Sequence, residues 1–310
     1  MGRAHIARWL QVANARMVAV CDTDAHAAAQ AAGLIGAQAW ADPIEAIVGS
    51  EADVVDICTP PVAHAPIAVA AFRTGRHVIC EPPLGRSAAG ARAMAAAGKD
   101  ADRHLIPAFC HRFHPLVEFA RELIVAGDLG RVLMFRCRLS GLFSAAGESW
   151  FSNPEISGGG VLHDTGVHGI DLFRFLVGEI AEVRAAVHTS TPGLIVEDSC
   201  ALTLAAADGA IGVMEASWAT PGGANVIEVY GSSGNCRIDY DRDRLRYQTA
   251  DLDFPQTVAG DGRDRVQSML LSFGAALGSG AHAPISAEDG VRAAEVVEAA
   301  YASARRRSPA

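Results

Sequence analysis

Four apolar runs, "MVAVC" (17–21), "VVDIC" (54–58), "HVIC" (77–80) and "HLIPAFC" (104–110), recur through the first third of this chain with helix-like segments between them. Short continuous runs without polar alternation are what strands buried on both faces of a parallel sheet look like. The intervening segments fit helices. Ile6, Trp9, Leu10 and Ala13 fall at helical spacing, and an alanine-rich stretch predicts a helix to Gly33. Asp42-Pro43 offers a cap and a first-turn proline for a short helix through Val48. The helix after "TPPVAH" should end near Gly75, where a left-handed glycine can terminate it, and another is predicted over about 87–98. Strand and helix in alternation imply an α/β, doubly wound unit. From residue 108 the rhythm changes. "RVLMFRCRLSG", "EVRAAVHTS", "EDSCALTLAAADGAIGVMEASWAT", "NVIEVYGSSGNCRIDY" and "RLRYQT" are strand-like, with a turn at Asp208-Gly209, and helices are predicted at about 115–126, 164–177 and 287–305. The expected architecture is therefore a parallel-sheet domain over 1–107 and an α+β domain over 108–310 with an open, mainly antiparallel sheet. The last helix is expected to pack back on the first domain.

A chain of 310 residues with half of them hydrophobic is ample for two such domains. Its formal charge of -9 argues against nucleic acid or an anionic membrane as the main partner, since both are gripped by clustered cations. A small-molecule ligand is expected instead. The seven cysteines are scattered and form no C-x-x-C pair, so neither a disulfide framework nor a metal site is expected. No run is long and apolar enough to span a bilayer, and "MGRAHIARWLQV" lacks the layout of a secretory signal, so the cytoplasm is the expected location.

In a doubly wound sheet, ligands bind beyond the carboxyl ends of the strands. Asp22 directly follows "MVAVC". An acid there accepts hydrogen bonds from an adenosine ribose and repels a 2′-phosphate, favouring NAD over NADP; it would equally serve as a helix cap. Thr59-Pro60-Pro61, with His64, follows "VVDIC" and either lines a nicotinamide ribose or simply turns the chain. In "SGGGVLHDTGVHGIDLFRFLVG" (157–178), three glycines permit close backbone approach, and Asp164, His168 and Asp171 recur at spacings of four and three. Asp164 and His168 can meet on one helix face as a carboxylate and an imidazole, suited to general acid-base work with the acid fixing the ring or raising its proton affinity. A structural pair or a metal site would use the same residues, and His163 is expected to be a bystander.

The order of these motifs resembles that of the glucose-fructose oxidoreductase, inositol dehydrogenase and rhizopine catabolism (Gfo/Idh/MocA) family over essentially the whole chain. The resemblance is carried by "VAVCD", "VDICTPPVAH", "HVICEPPLG", "HRFHP" (111–115), "GDLGRV" (127–132), the glycine-to-Asp171 stretch, "VEDS" (196–199) and "PISAEDGVRAAEVVEAAYAS" (284–303). It implies an N-terminal Rossmann domain and a C-terminal sheet used for substrate binding and assembly into a homodimer or homotetramer. It also implies NAD(P)-linked redox chemistry on a sugar, inositol or related polyol. Asp164 and His168 match the family's substrate-side acid and histidine, and Arg112 matches an arginine that is as readily structural.

Two departures qualify what the resemblance implies. Family members open with a strand and a G-x-G-x-x-G turn, followed by a basic or polar residue and a histidine. Here "MGRAH" leaves Gly2 to match the third glycine. The first strand belongs between "MVAVC" and "VVDIC", so those two are expected to show unpaired inner edges, the true start is expected upstream, and the 310-residue form is expected to bind dinucleotide weakly. The second departure is "CEPPLG" (80–85). Glu81-Pro82-Pro83 stands where the family has Glu-Lys-Pro, beside the nicotinamide, and Pro82 carries no proton. His168 is then expected to be the sole acid-base group, with reduced or altered activity. Three readings follow: an oxidoreductase, a lyase or glycosidase-like enzyme without net redox change, and a catalytically inactive binding or assembly protein.

Overall fold

The computed structural model describes residues 1–307. Two compact units emerge, one formed by 1–109 with 266–291 and the other by 110–265 with the described residues from 292 on. The first of these units runs to 109 and also takes in 266–291, where the sequence reading divides the chain between 107 and 108.

The first unit runs α1 (Gly2–Trp9), β1 (Ala19–Cys21), α2 (Ala25–Ile35), β2 (Gln38–Trp40), α3 (Pro43–Gly49), β3 (Val54–Ile57), α4 (His64–Arg73), β4 (His77–Cys80), α5 (Ala88–Asp100) and β5 (Leu105–Pro107). Local chemistry sets the ends. Asp42 accepts from the amides of Ile44 and Glu45 with Pro43 in the first turn, and Gly75 takes φ +80 after α4. The expected stop at Gly33 is wrong by one turn: the helix carries that glycine inside and ends on Gly36 at φ +68.

The strands form two separate parallel ladders, β1-β2 and β3-β4-β5, and among the described residues none joins β1 to β3. Burial follows this split. Val78, Ile79 and Cys80 of β4 have no exposed surface, whereas every residue of β1 is half-buried.

The second unit contains α6 (Pro115–Ala126), β6 (Val132–Ser140), α7 (Pro154–Ser157), α8 (Val167–Leu176), β7 (Ile180–His188), β8 (Ser199–Ala206), β9 (Ile211–Ser217), β10 (Asn225–Gly231), β11 (Gly234–Asp239), β12 (Arg244–Thr249) and β13 (Gln256–Ala259). Eight strands make one open sheet in the order β13-β12-β11-β10-β6-β9-β8-β7, antiparallel except where β6 meets β9. Along β6 the period of two is explicit: Phe135, Cys137 and Leu139 are buried while Arg136 and Arg138 are exposed. The buried face carries α8, with Phe135 and Phe173 edge to face at 5.5 Å. The other face is laced with ion pairs such as Arg138–Glu215 at 3.0 Å.

Two helices close the described chain, α9 (Arg265–Ser279) and α10 (Ala287–Arg307). The sequence reading leaves α9 without an element, although Met269, Leu270, Phe273 and Ala276 make a buried stripe at helical spacing. Residues 266–291 pack within the first unit, where Gly274 lies against Val12 and Trp9 and Gly290 against Leu84 and Pro107. The first turn of α10 belongs to that unit and the described remainder to the second. Among the described residues no helix is long and apolar enough to cross a membrane.

Candidate functional site

Each unit carries its own group of candidate residues. In the first, the expected residues sit at the carboxyl ends of the strands. Asp22 is exposed beyond β1 and accepts the Asp24 amide at 2.9 Å. Gly2 starts α1, whose N-cap Met1 provides no side-chain bond, and a Cβ on Gly2 would lie 3.8 Å from that of Cys58. The Thr59 hydroxyl is buried without a hydrogen-bond partner among the described residues. His64 bridges the carbonyls of Thr59 (2.7 Å) and Pro83 (3.0 Å), and burial lowers its proton affinity. With both ring nitrogens engaged, His64 ties the turn after β3 to the Glu81-Pro82-Pro83 corner, where the Pro82–Pro83 bond is cis.

Behind that corner lies a group that sequence reasoning did not single out. His5, 2% exposed, reaches Asp56 through Nδ1 at 2.8 Å and Glu81 through Nε2 at 2.9 Å. Trp9 Nε1 donates to the same Asp56 oxygen at 2.7 Å. Burial alone lowers the proton affinity of His5, but the bonds to Asp56, Cys58 and Glu81 and the Asp56 charge outweigh it, so the imidazolium is strongly favoured. The signal was present in "MGRAH", but the partners lie too far along the chain to be inferred. His5, Asp56 and Cys58 also bring ligand-type atoms within 4.8 Å of one another.

The residues present fit a dinucleotide. An exposed acid ends β1, and an orphaned buried hydroxyl ends β3, where a ribose would satisfy it. Of a pyrophosphate-binding turn the chain holds Gly2, at an uncapped helix start.

In the second unit, the glycines of 158–160 bring backbone against backbone. Gly158 takes φ +88 at the end of α7, a Cβ on Gly159 would collide with the Tyr301 hydroxyl, and one on Gly160 with the Glu197 carbonyl. The buried Glu197 carboxylate accepts from the amides of Gly160 (3.0 Å) and Leu162 (3.1 Å) and from Tyr301 OH (2.6 Å). Burial pushes its carboxyl up, against the opposing pull of those donors. Gly160→Ala should therefore destabilise the protein by about 1–3 kcal/mol, because the colliding atom is backbone and cannot swing aside. Urea unfolding measures this, and a midpoint equal to wild type would show that the turn relaxes freely.

This turn leads into a π-helical segment, Leu162–Gly166, that continues as α8. Extra-residue turns of this kind are frequent at functional sites. Asp164 lies in it and accepts from Thr165 Oγ1 at 3.0 Å, and Trp218 Nε1 donates to that hydroxyl at 3.0 Å. His168 follows in the first turn of α8, mostly packed with one edge open, its ring centre 5.0 Å from that of His111. His111 Nδ1 meets Tyr240 OH at 3.2 Å, the His114 ring lies 4.6 Å from the Tyr240 ring, and the Arg265 guanidinium carbon is 5.9 Å from the same ring. The acid is expected to fix the ring or raise its proton affinity; the second does not hold, since burial and then the Arg265 charge lower His168 to about 4. Burial, Arg265 and the neighbouring imidazoles likewise hold His111 well below its ordinary value, and burial raises Tyr240. At neutral pH this is a set of uncharged imidazoles and a protonated phenol, able to accept and donate protons.

Asp171 does not join them. It takes Arg112 in a two-pronged pair, with Nε at 2.9 Å and Nη2 at 2.6 Å, which fastens the 110–113 turn to α8. His163 is buried in the π segment.

Comparison with known proteins gives a consistent picture. The description "Oxidoreductase family, NAD-binding Rossmann fold" (GFO/IDH/MocA) matches residues 1–109, and "GFO/IDH/MocA C-terminal domain" matches 117–237. The inositol 2-dehydrogenase of Rhizobium meliloti (strain 1021) is 30% identical over 98% of this chain and 93% of its own length. The levoglucosan dehydrogenase of Pseudarthrobacter phenanthrenivorans is 35% identical over 61% of this chain, a match spanning 56% of that relative. A solved levoglucosan dehydrogenase in complex with NADH and levoglucosan superposes with a TM-score of 0.93 at 29% identity, over 99% of this chain and 95% of that one.

Proposed function

The chain belongs to the GFO/IDH/MocA oxidoreductase family, and on that premise we propose that it is an NAD-dependent dehydrogenase oxidising a hydroxyl of a sugar, inositol or sugar-derived polyol. The observation that carries this reading is the uncharged, partly open His168 in a cluster of proton-handling side chains, within a chain whose first unit offers Asp22 and Thr59 at the strand ends.

Bound NAD supplies the acceptor for the hydride that leaves the substrate carbon with its electron pair. His168 takes the hydroxyl proton, leaving a carbonyl product. Its Nδ1 is buried, so Nε2 is the accepting atom. Asp164, held by Thr165, stands one turn before the ring and orients the substrate edge of the helix. Tyr240, still protonated, donates toward His111. In the first unit, Asp22 holds the adenosine ribose, Thr59 and Pro60 line the nicotinamide end, and the Glu81-Pro82-Pro83 corner closes it, braced by His5 and His64.

A second reading, product formation without net redox change, is favoured by one observation: Pro82 gives the corner no proton carrier where the family has lysine. Incubating the protein with NAD and a panel containing inositol, levoglucosan, apiose and glucosides separates the two. Substrate-dependent NADH absorbance is expected, product without NADH would shift the assignment to the second reading, and neither would remove both. The ion-paired open face of the eight-stranded sheet supports assembly into a homodimer or homotetramer, and the cytoplasm is the proposed location.

A further inference from the structure

We propose that Arg265 supplies the fixed positive charge of the polyol site, favouring the negative charge that builds on the reacting oxygen as its proton leaves. The inference rests on the dehydrogenase reading above and adds to it a residue outside every motif named from the sequence.

Arg265 begins α9, and its guanidinium carbon lies 5.9 Å from the Tyr240 ring. Rings then follow one another toward His168: Tyr240 to His111 at 5.5 Å, and His111 to His168 at 5.0 Å. Arg265 Nε is buried with no hydrogen-bond partner among the described residues. The guanidinium is half-buried, and Cys110, Tyr240 and Asp264 favour its charge against the cost of burial. The other arginine of the region, Arg112, is neutralised by Asp171.

The groups that act on one another here are Cys110 and His111 from the 110–113 turn, His114 before α6, Tyr240 after β11, His168 on α8, and Asp264 and Arg265 at the start of α9. Asp243 and Asp261 act on His114. The Arg265 charge opposes protonation of His168, His111 and His114 alike. A site so biased keeps its bases free of protons. It also favours an oxyanion over a neutral hydroxyl, which is the direction in which charge moves during alcohol oxidation.

The test uses the full chain with ring-labelled histidines, read by NMR, and His168→Asn to assign its resonance. In wild type, His168 should titrate near 4. In Arg265→Gln its midpoint should rise by about one pH unit, and in Arg265→Lys, which keeps the charge, it should stay close to wild type. With an active substrate, Arg265→Gln should lower kcat by about 10²-fold with KM little changed and carry the acid limb of the pH profile upward, while Arg265→Lys recovers part of the rate. A folded Arg265→Gln whose His168 midpoint does not move overturns the proposal, as does an Arg265→Lys that shifts as far as the glutamine variant. If the midpoints move as expected but wild type oxidises no polyol, the dehydrogenase reading fails and the charge-setting position of Arg265 stands.

Discussion

If His168 is the proposed base, replacing it with asparagine should lower kcat by about 10²- to 10⁴-fold, the usual contribution of a positioned acid-base group. Asparagine keeps the approximate size and polarity of the ring without its basicity, so α8, held by the Arg112–Asp171 pair, stays in place. The pH profile distinguishes loss of a base from loss of a contact. His168 must be unprotonated to accept the hydroxyl proton, and burial with the Arg265 charge puts its midpoint at about 4. Wild-type activity should then show no fall attributable to His168 between pH 8 and 5, and should decline only as pH drops toward 4. An ordinary histidine would give that decline near 6.5. Asp164→Asn should cost less than His168→Asn, since the acid positions and does not carry the proton. A His168→Asn enzyme within about threefold of wild type would leave the site without its base.

The parts of this protein that could be read from the sequence are those whose cause is local. An apolar run of four or five residues announces a strand, Asp42-Pro43 a helix start, Gly75 and Asp208-Gly209 the ends of elements, and all of these are found, although β1 and most of β3 are half-buried. Local cause also explains what went unread. β2 has three residues, two of them exposed, and is a strand only because β1 lies beside it. Gly33 looks like a stop yet sits inside α2, because glycine weakens a helix without forbidding it and the left-handed turn falls at Gly36. The same division runs through the site. Asp164 and His168 were visible as a helical pair, but the burial and the Arg265 charge that lower His168 come from elsewhere in the chain. Arg112 and Asp171 were each noticed, though their bidentate bond joins positions 59 apart. His5 is the extreme case: a histidine on an unremarkable amphipathic helix, whose partner Asp56 stands 51 positions on.

His5→Ala should destabilise the first unit by about 3–5 kcal/mol, the loss expected when one member of a buried ion pair is removed and its partners remain. Asp56 and Glu81 would face each other without a counter-charge, with side chains only 18% and 15% exposed and therefore little screened. His5→Gln, which keeps hydrogen bonding without charge, isolates the electrostatic part through its pH dependence. The proton affinity of His5 is raised in the folded protein relative to the unfolded chain, so its contribution is complete below the unfolded value near 6.5. Above that pH the contribution is lost at up to about 1.4 kcal/mol per pH unit, as the unfolded chain releases a proton that the folded one retains. The difference between wild type and His5→Gln in urea should therefore be larger at pH 6 than at pH 8.5. A difference equal at both pH values would mean that His5 is not held charged, and that Glu81 is fixed by hydrogen bonding alone. Because Glu81 opens the Glu81-Pro82-Pro83 corner, the same variants should also weaken NADH binding, which ties the stability of this buried network to the placement of the cofactor's reactive end.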